Sequence, residues 1–197
     1  MKEMIVDGNE RFDFINQVLN DNSVENIEFR NCDFLNEELL KIVEFKNYER
    51  IAFIDCSFEN ESLIKNIKTE SLSLTNNTIN SYEFIYEMVD LRNLTVVNGK
   101  IDAYKLNALS KLEYLRVSHS FVVNIEKLFL EDLKFLFIDN TNIDNLSFVK
   151  NFSNLNLLSI SEKQKVDNIN TLKSILITNH IKIIMDSIVE MEVDIND

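Results

Sequence analysis

The stretch LKFLFIDNTNIDNLSFVKNFSNL, residues 133–155, decides the fold. Leu133, Leu136 and Ile138 stand at positions one, four and six, the small polar Thr141 at nine, and Ile143 at eleven. The same pattern begins at Val24, Tyr48, Thr69, Leu91, Leu112 and Leu155, with a weaker start at Leu172. Successive intervals are 24, 21, 22, 21, 21, 22 and 17 residues. A period this short is a repeat signature, because one unit cannot bury its own apolar side and has to stack on the units before and after it. Side chains alternate across a strand, so positions one, four and six enter the core while three, five and seven face outward.

Working outward from the repeats, one domain is expected over residues 1–197. Residues 1–23 are assigned to an N-terminal cap, 24–180 to seven or eight repeats, and 181–197 to a C-terminal cap and tail. The cap rests on Phe12, Ile15, Val18 and Leu19, which share one helical face, with Asn9 or Asp7 as N-cap. Residues 36–45 and 81–89 carry helical spacing, the second with Ser81 as its cap. The later return segments have room only for short helical or 3-10 turns. Residues 174–178 and 181–185 are expected to finish the sheet, and the acidic residues 190–197 to form a frayed end.

On these residues, above all 133–155, the chain resembles the leucine-rich repeat superfamily, closest to its short bacterial, internalin-like class of about 22 residues. The resemblance covers residues 24–180 and implies an α/β fold. That fold is a right-handed curved solenoid with a parallel concave β-sheet and with helices or 3-10 turns on the convex side. The family's asparagine at position nine survives as Asn77, whereas Cys32, Cys56, Gly99, Ser120, Thr141 and Lys163 occupy the other coils. Such a likeness is specific for fold and names no partner.

Composition limits function. Lys and Arg number 20 against 33 Asp and Glu, a net charge of −13 that repels nucleic acid and anionic membranes. The first residues hold no apolar run of signal-peptide length and no segment is long enough to cross a bilayer, so a cytoplasmic protein is expected. Cys32 and Cys56, both at position nine of successive coils, read as buried reduced thiols. His119 and His180 lie in different coils without a metal-spaced partner, and no phosphate loop or nucleophile motif occurs. No catalytic residue, cofactor or metal is therefore expected, and the chain is read as a non-enzyme.

What remains is the outward face of the strands. Tyr114, Phe135, Phe137, Leu157 and Leu176 fall at outward positions of four successive coils, with Arg116, His119 and Asp139 at their border. Exposed aromatic and arginine side chains on a rigid sheet are the usual substance of protein-binding hot spots. The expected function is thus a non-catalytic module that binds another protein, or its own copy as a homo-oligomer, through the concave face. Two alternatives stand beside it: an acidic inhibitor or immunity-type protein for a basic toxin or nuclease, and a structural or self-assembling protein.

Overall fold

The computed structural model describes residues 2–8, 24–45, 47–161, 182–186 and 189–190. Its frame is a single sheet of ten strands, nearly all parallel. Lys2–Asp7, Val24–Arg30, Tyr48–Ile54, Thr69–Thr75, Asn93–Val97, Tyr114–Ser118, Phe135–Phe137, Leu157–Ser161 and Lys182–Asp186 follow one another in space as in sequence. Val189–Glu190 then turns back antiparallel on Lys182–Asp186.

Strand order without crossovers is what stacked coils give. Register follows the repeat: Ile51 pairs with Leu72, Leu72 with Leu94, Leu94 with Leu115 and Leu115 with Leu136. Positions one, four and six form the core, and Ile51, Phe53, Leu72, Leu74, Leu94, Val96, Leu115, Val117, Leu136 and Ile138 are all buried. In the first coils this core is aromatic. Phe29 stacks on Phe53 at 5.5 Å, and the ring of Phe34 stands edge-on to both.

The return side holds one α-helix among the described residues, Asn36–Phe45, and otherwise 3-10 turns. Leu39 and Ile42 face the core from that helix, and Glu38 reaches back to accept from the Leu35 amide at 2.9 Å, a capping box in miniature. The helix expected over residues 81–89 is instead the 3-10 segment Glu83–Glu87, although Ser81 Oγ still accepts from the Glu83 amide at 3.3 Å. With only 21 residues or so per coil, the return path is too short for full α-turns.

Position nine ties each coil to its predecessor. Asn77 accepts from the Cys56 amide at 2.8 Å and donates to the Phe53 carbonyl at 2.9 Å. Cys56 and Ser120 reach the position-six carbonyls of Phe29 and Val96 in the same way, at 3.5 Å each. Both cysteines are buried and unbridged, and a hydrogen bond from Cys32 holds the Cys56 pKa below its ordinary value. Gly99 is small for a reason: a Cβ there would lie 2.5 Å from Val96 Cγ1 and 2.9 Å from the Tyr82 ring. In the coil of Thr141, whose hydroxyl donates to the Ile138 carbonyl of the same coil, Asn142 ties to the preceding coil by pairing with both the amide and the carbonyl of Val122.

Position eight carries a feature that the apolar pattern conceals. Asn31, Asp55, Asn76, Asn98, His119 and Asn140 all have positive φ, between 50° and 58°. These six coils leave their strands through a left-handed residue, and they use Asn, Asp and His there rather than Gly.

Three expectations are corrected. The first residues are not only a cap, because Lys2–Asp7 is a strand paired parallel to Val24–Arg30, with a shift of register after Lys2, and Val6 occupies position six of an additional coil. The strand beside Leu157–Ser161 is Lys182–Asp186, not 174–178; the last coil is 25 residues long by its pairing of Leu157 with Lys182. Outward positions are not uniformly open either: Ala52, Ser118, Ser159 and Ser161 are buried. The helix expected over residues 9–19, His180 and the segment 174–178 lie outside the described residues.

Candidate functional site

The outward face divides into three zones, each set by which residue types occupy positions three, five and seven. In the first coils the charges neutralise one another. Glu28, only 7% exposed, is held by Arg30 at 2.5 Å and Arg50 at 3.7 Å, and Arg50 also reaches Glu3 at 3.3 Å. A buried carboxylate of this kind persists because it is paired. The middle zone, Ser71, Ser73, Thr75, Asn93 and Thr95, is neutral and polar.

The third zone is aromatic. Parallel pairing sets Tyr114, Phe135 and Leu157 side by side, and Arg116, Phe137 and Ser159 in the next row. The Tyr114 ring lies 5.1 Å from Phe137 and 6.4 Å from Phe135, both tilted. Phe135 is 38% exposed, while Tyr114, Phe137 and Leu157 are half-buried. Burial pushes the Tyr114 pKa up, against the opposing pull of the Arg116 guanidinium. Arg116 is exposed, donates from Nε to Ser118 Oγ at 3.1 Å, and forms no ion pair with a described residue.

Two border residues differ from expectation. Asp139 is buried, with Oδ1 accepting from Ser159 at 3.0 Å, so its carboxylate ties two coils together and does not stand at the rim. His119 is exposed but is one of the left-handed turn residues; its amide donates to Asp139 O at 2.9 Å and its ring faces Asn140 Nδ2 at 3.4 Å. Leu176 lies outside the described residues, and the register position next to Leu157 belongs to Lys182.

Sequence reasoning also passed over position two, along the edge where strands begin. Glu70, Arg92, Glu113 and Lys134 alternate in sign there, with Arg92 2.7 Å and Lys134 2.6 Å from Glu113. These contacts hold the Glu113 pKa down, Lys134 first, and the alternation was legible once the repeats were aligned. Among the described residues no cluster of three His, Cys, Asp or Glu could hold a metal ion, and no helix is long and apolar enough to cross a membrane.

No protein-family model matches the chain, and no curated protein matches it. Solved structures do: 22 chains match, among them the internalin InlF of Listeria monocytogenes str. 4b F2365. That match has a TM-score of 0.60 at 14% identity and covers 81% of this chain and 47% of the other. The fold is an internalin-like leucine-rich repeat solenoid. The chain spans about half the length of that internalin structure, and at this identity the likeness speaks for the fold alone. In leucine-rich repeat terms, the aromatic zone occupies the strand face of the coils beginning at Leu112, Leu133 and Leu155.

Proposed function

We propose that the chain is a non-catalytic protein-interaction module whose contact surface is the aromatic zone of the strand face. The observation that carries this reading is the cluster of Tyr114, Phe135 and Phe137, in which the Tyr114 ring contacts both phenylalanines, beside an Arg116 that has no described carboxylate partner. Rings already packed against one another lose little conformational freedom on binding, and a lone guanidinium at their side supplies orientation. The solenoid fold supports the same reading, since stacked strands hold these side chains at fixed spacing.

The acidity of the chain does not extend to this surface. Glu28 is neutralised by two arginines and Asp139 is buried, which weighs against an inhibitor that grips a basic toxin or nuclease with this face. Such an inhibitor would use the edges and the return side.

Affinity capture from the source cell, followed by calorimetry with the partner obtained, tests the proposal. Phe135→Ala and Phe137→Ala should each weaken binding by at least ~2 kcal/mol, the scale of a hot spot, and Ser73→Ala should leave it unchanged. Unchanged affinity in both phenylalanine variants, together with loss on replacing acids of the return side, would move the site to the other face.

A further inference from the structure

Of the two glycines in the chain, Gly99 follows an asparagine, and Asn98-Gly99 is the one Asn-Gly dipeptide. In a flexible chain this pair is prone to an intramolecular reaction. The Gly99 amide nitrogen attacks Asn98 Cγ, ammonia leaves with the side-chain nitrogen, and a cyclic imide closes. Water then opens the imide at either carbonyl, giving aspartate or isoaspartate at position 98; no oxidant or cofactor takes part. Glycine favours the step because no Cβ hinders the nitrogen.

We propose that Asn98 is a latent deamidation site which the solenoid holds shut. Three contacts do so. Asn98 has φ 58°, in the left-handed region, where ψ is about +30 to +60°. That ψ places the Gly99 nitrogen nearly opposite Asn98 Cβ across the Cα–C bond, whereas ring closure needs the two on the same side. The Gly99 amide is also engaged, donating to Ser120 Oγ at 2.9 Å in the following coil. The reacting side chain is engaged as well: Asn98 Nδ2 donates to Asn76 Oδ1 in the preceding coil, and the Asn98 amide bonds Ser118 O at 3.1 Å.

Reaction therefore requires local opening of the turn between strand Asn93–Val97 and strand Lys100–Asp102. Both products work against reclosure. Aspartate would set a carboxylate against Asn76 Oδ1 where a donor stood, and isoaspartate would add a methylene to the backbone at the tightest point of the coil. The change falls on the coil directly before Tyr114 and Arg116, whose strand pairs with Asn93–Val97.

Peptide mapping by mass spectrometry at pH 8 and 37 °C reads the conversion as a gain of about 1 Da on the peptide holding residues 98 and 99, with isoaspartate resolved by fragmentation. Folded protein should convert at least about tenfold more slowly than the same chain in urea, because only the open state reacts. Ser120→Ala frees the Gly99 amide and removes about one hydrogen bond of protection, so conversion in the folded state should rise roughly fivefold. Ile64→Val, destabilising a distant coil to a similar degree, should leave the rate at Asn98 as it was. Equal rates in folded and unfolded protein would overturn the proposal, and so would equal acceleration by Ser120→Ala and Ile64→Val, since global unfolding would then be the gate.

Discussion

Replacing Asn77 with alanine removes two hydrogen bonds at one stroke. The side chain is 9% exposed and closes the gap between the coils beginning at Tyr48 and Thr69, accepting from Cys56 N at 2.8 Å and donating to Phe53 O at 2.9 Å. Alanine leaves that amide and that carbonyl inside the stack without their partner. A buried polar group stripped of its bond costs about 1–3 kcal/mol, so the pair should cost about 2–6 kcal/mol. Equilibrium urea unfolding followed by circular dichroism measures this as a lower midpoint at unchanged slope. The neighbouring Asn76 supplies the contrast. It is exposed, has φ 55°, and among the described residues its side chain meets Asn98. Asn76→Gly relieves a left-handed backbone worth about 1 kcal/mol while losing one exposed contact, so stability should stay within about 0.5 kcal/mol. Asn77→Gly should be as damaging as Asn77→Ala. A loss below about 0.5 kcal/mol for Asn77→Ala, the range of neutral surface changes, would refute the assignment of position nine as the inter-coil tie.

Other measurements probe separate layers of the structure. Leu115, 1% exposed in the middle of the stack, should cost about 2–5 kcal/mol on replacement by alanine, read from the same unfolding curves. Cys32 and Cys56, each 2% exposed, should react with a thiol reagent only as fast as the first coils open; rapid labelling of both in native protein would remove them from the core. Burial pushes the Tyr48 pKa from 10.0 up to about 12, so its contribution is fully present below about pH 10 and is lost as pH rises towards 12. That loss amounts to about 2–3 kcal/mol, and Tyr48→Phe should flatten the alkaline limb of the stability curve.

The repeat was legible in the sequence because burial at positions one, four and six is a pattern of hydrophobicity, and hydrophobicity is what a sequence displays. Leu94, Val96, Leu115 and Val117 needed no structure to be placed in the core. What escaped was conformational or relational. The Asn, Asp and His residues of position eight look like solvated polar residues until their positive φ is known, although the enrichment of these types at one aligned position was a usable signal. Gly99 was only a departure from asparagine at position nine, and the closeness of Val96 Cγ1 and the Tyr82 ring explains it. Asp139 looked like an exposed charge because its position points outward; Ser159 from the next coil buries it. Lys2–Asp7 is a strand that begins before the first recognisable repeat, too short to show a period. Of the aromatic zone, the residues were legible and the contacts were not: the tilt of Tyr114 over Phe137 depends on register between coils, and the engagement of Arg116 with Ser118 on the same strand depends on a side-chain rotamer.

Coil lengths vary from 21 to 25 residues while the strands from Val24–Arg30 to Lys182–Asp186 stay in register with one another. Height along the stack is accordingly counted in coils, not in residues, at about 4.8 Å each. From Tyr114 to Lys182 is three such steps, about 14 Å, however much chain is looped out on the return side. Excising a whole unit such as residues 69–90 would lower the aromatic zone one rung toward the first strand and leave its internal spacing untouched. The molecule is in this sense a graduated rod, on which evolution or design can slide a recognition element in equal increments while the distances within that element stay constant.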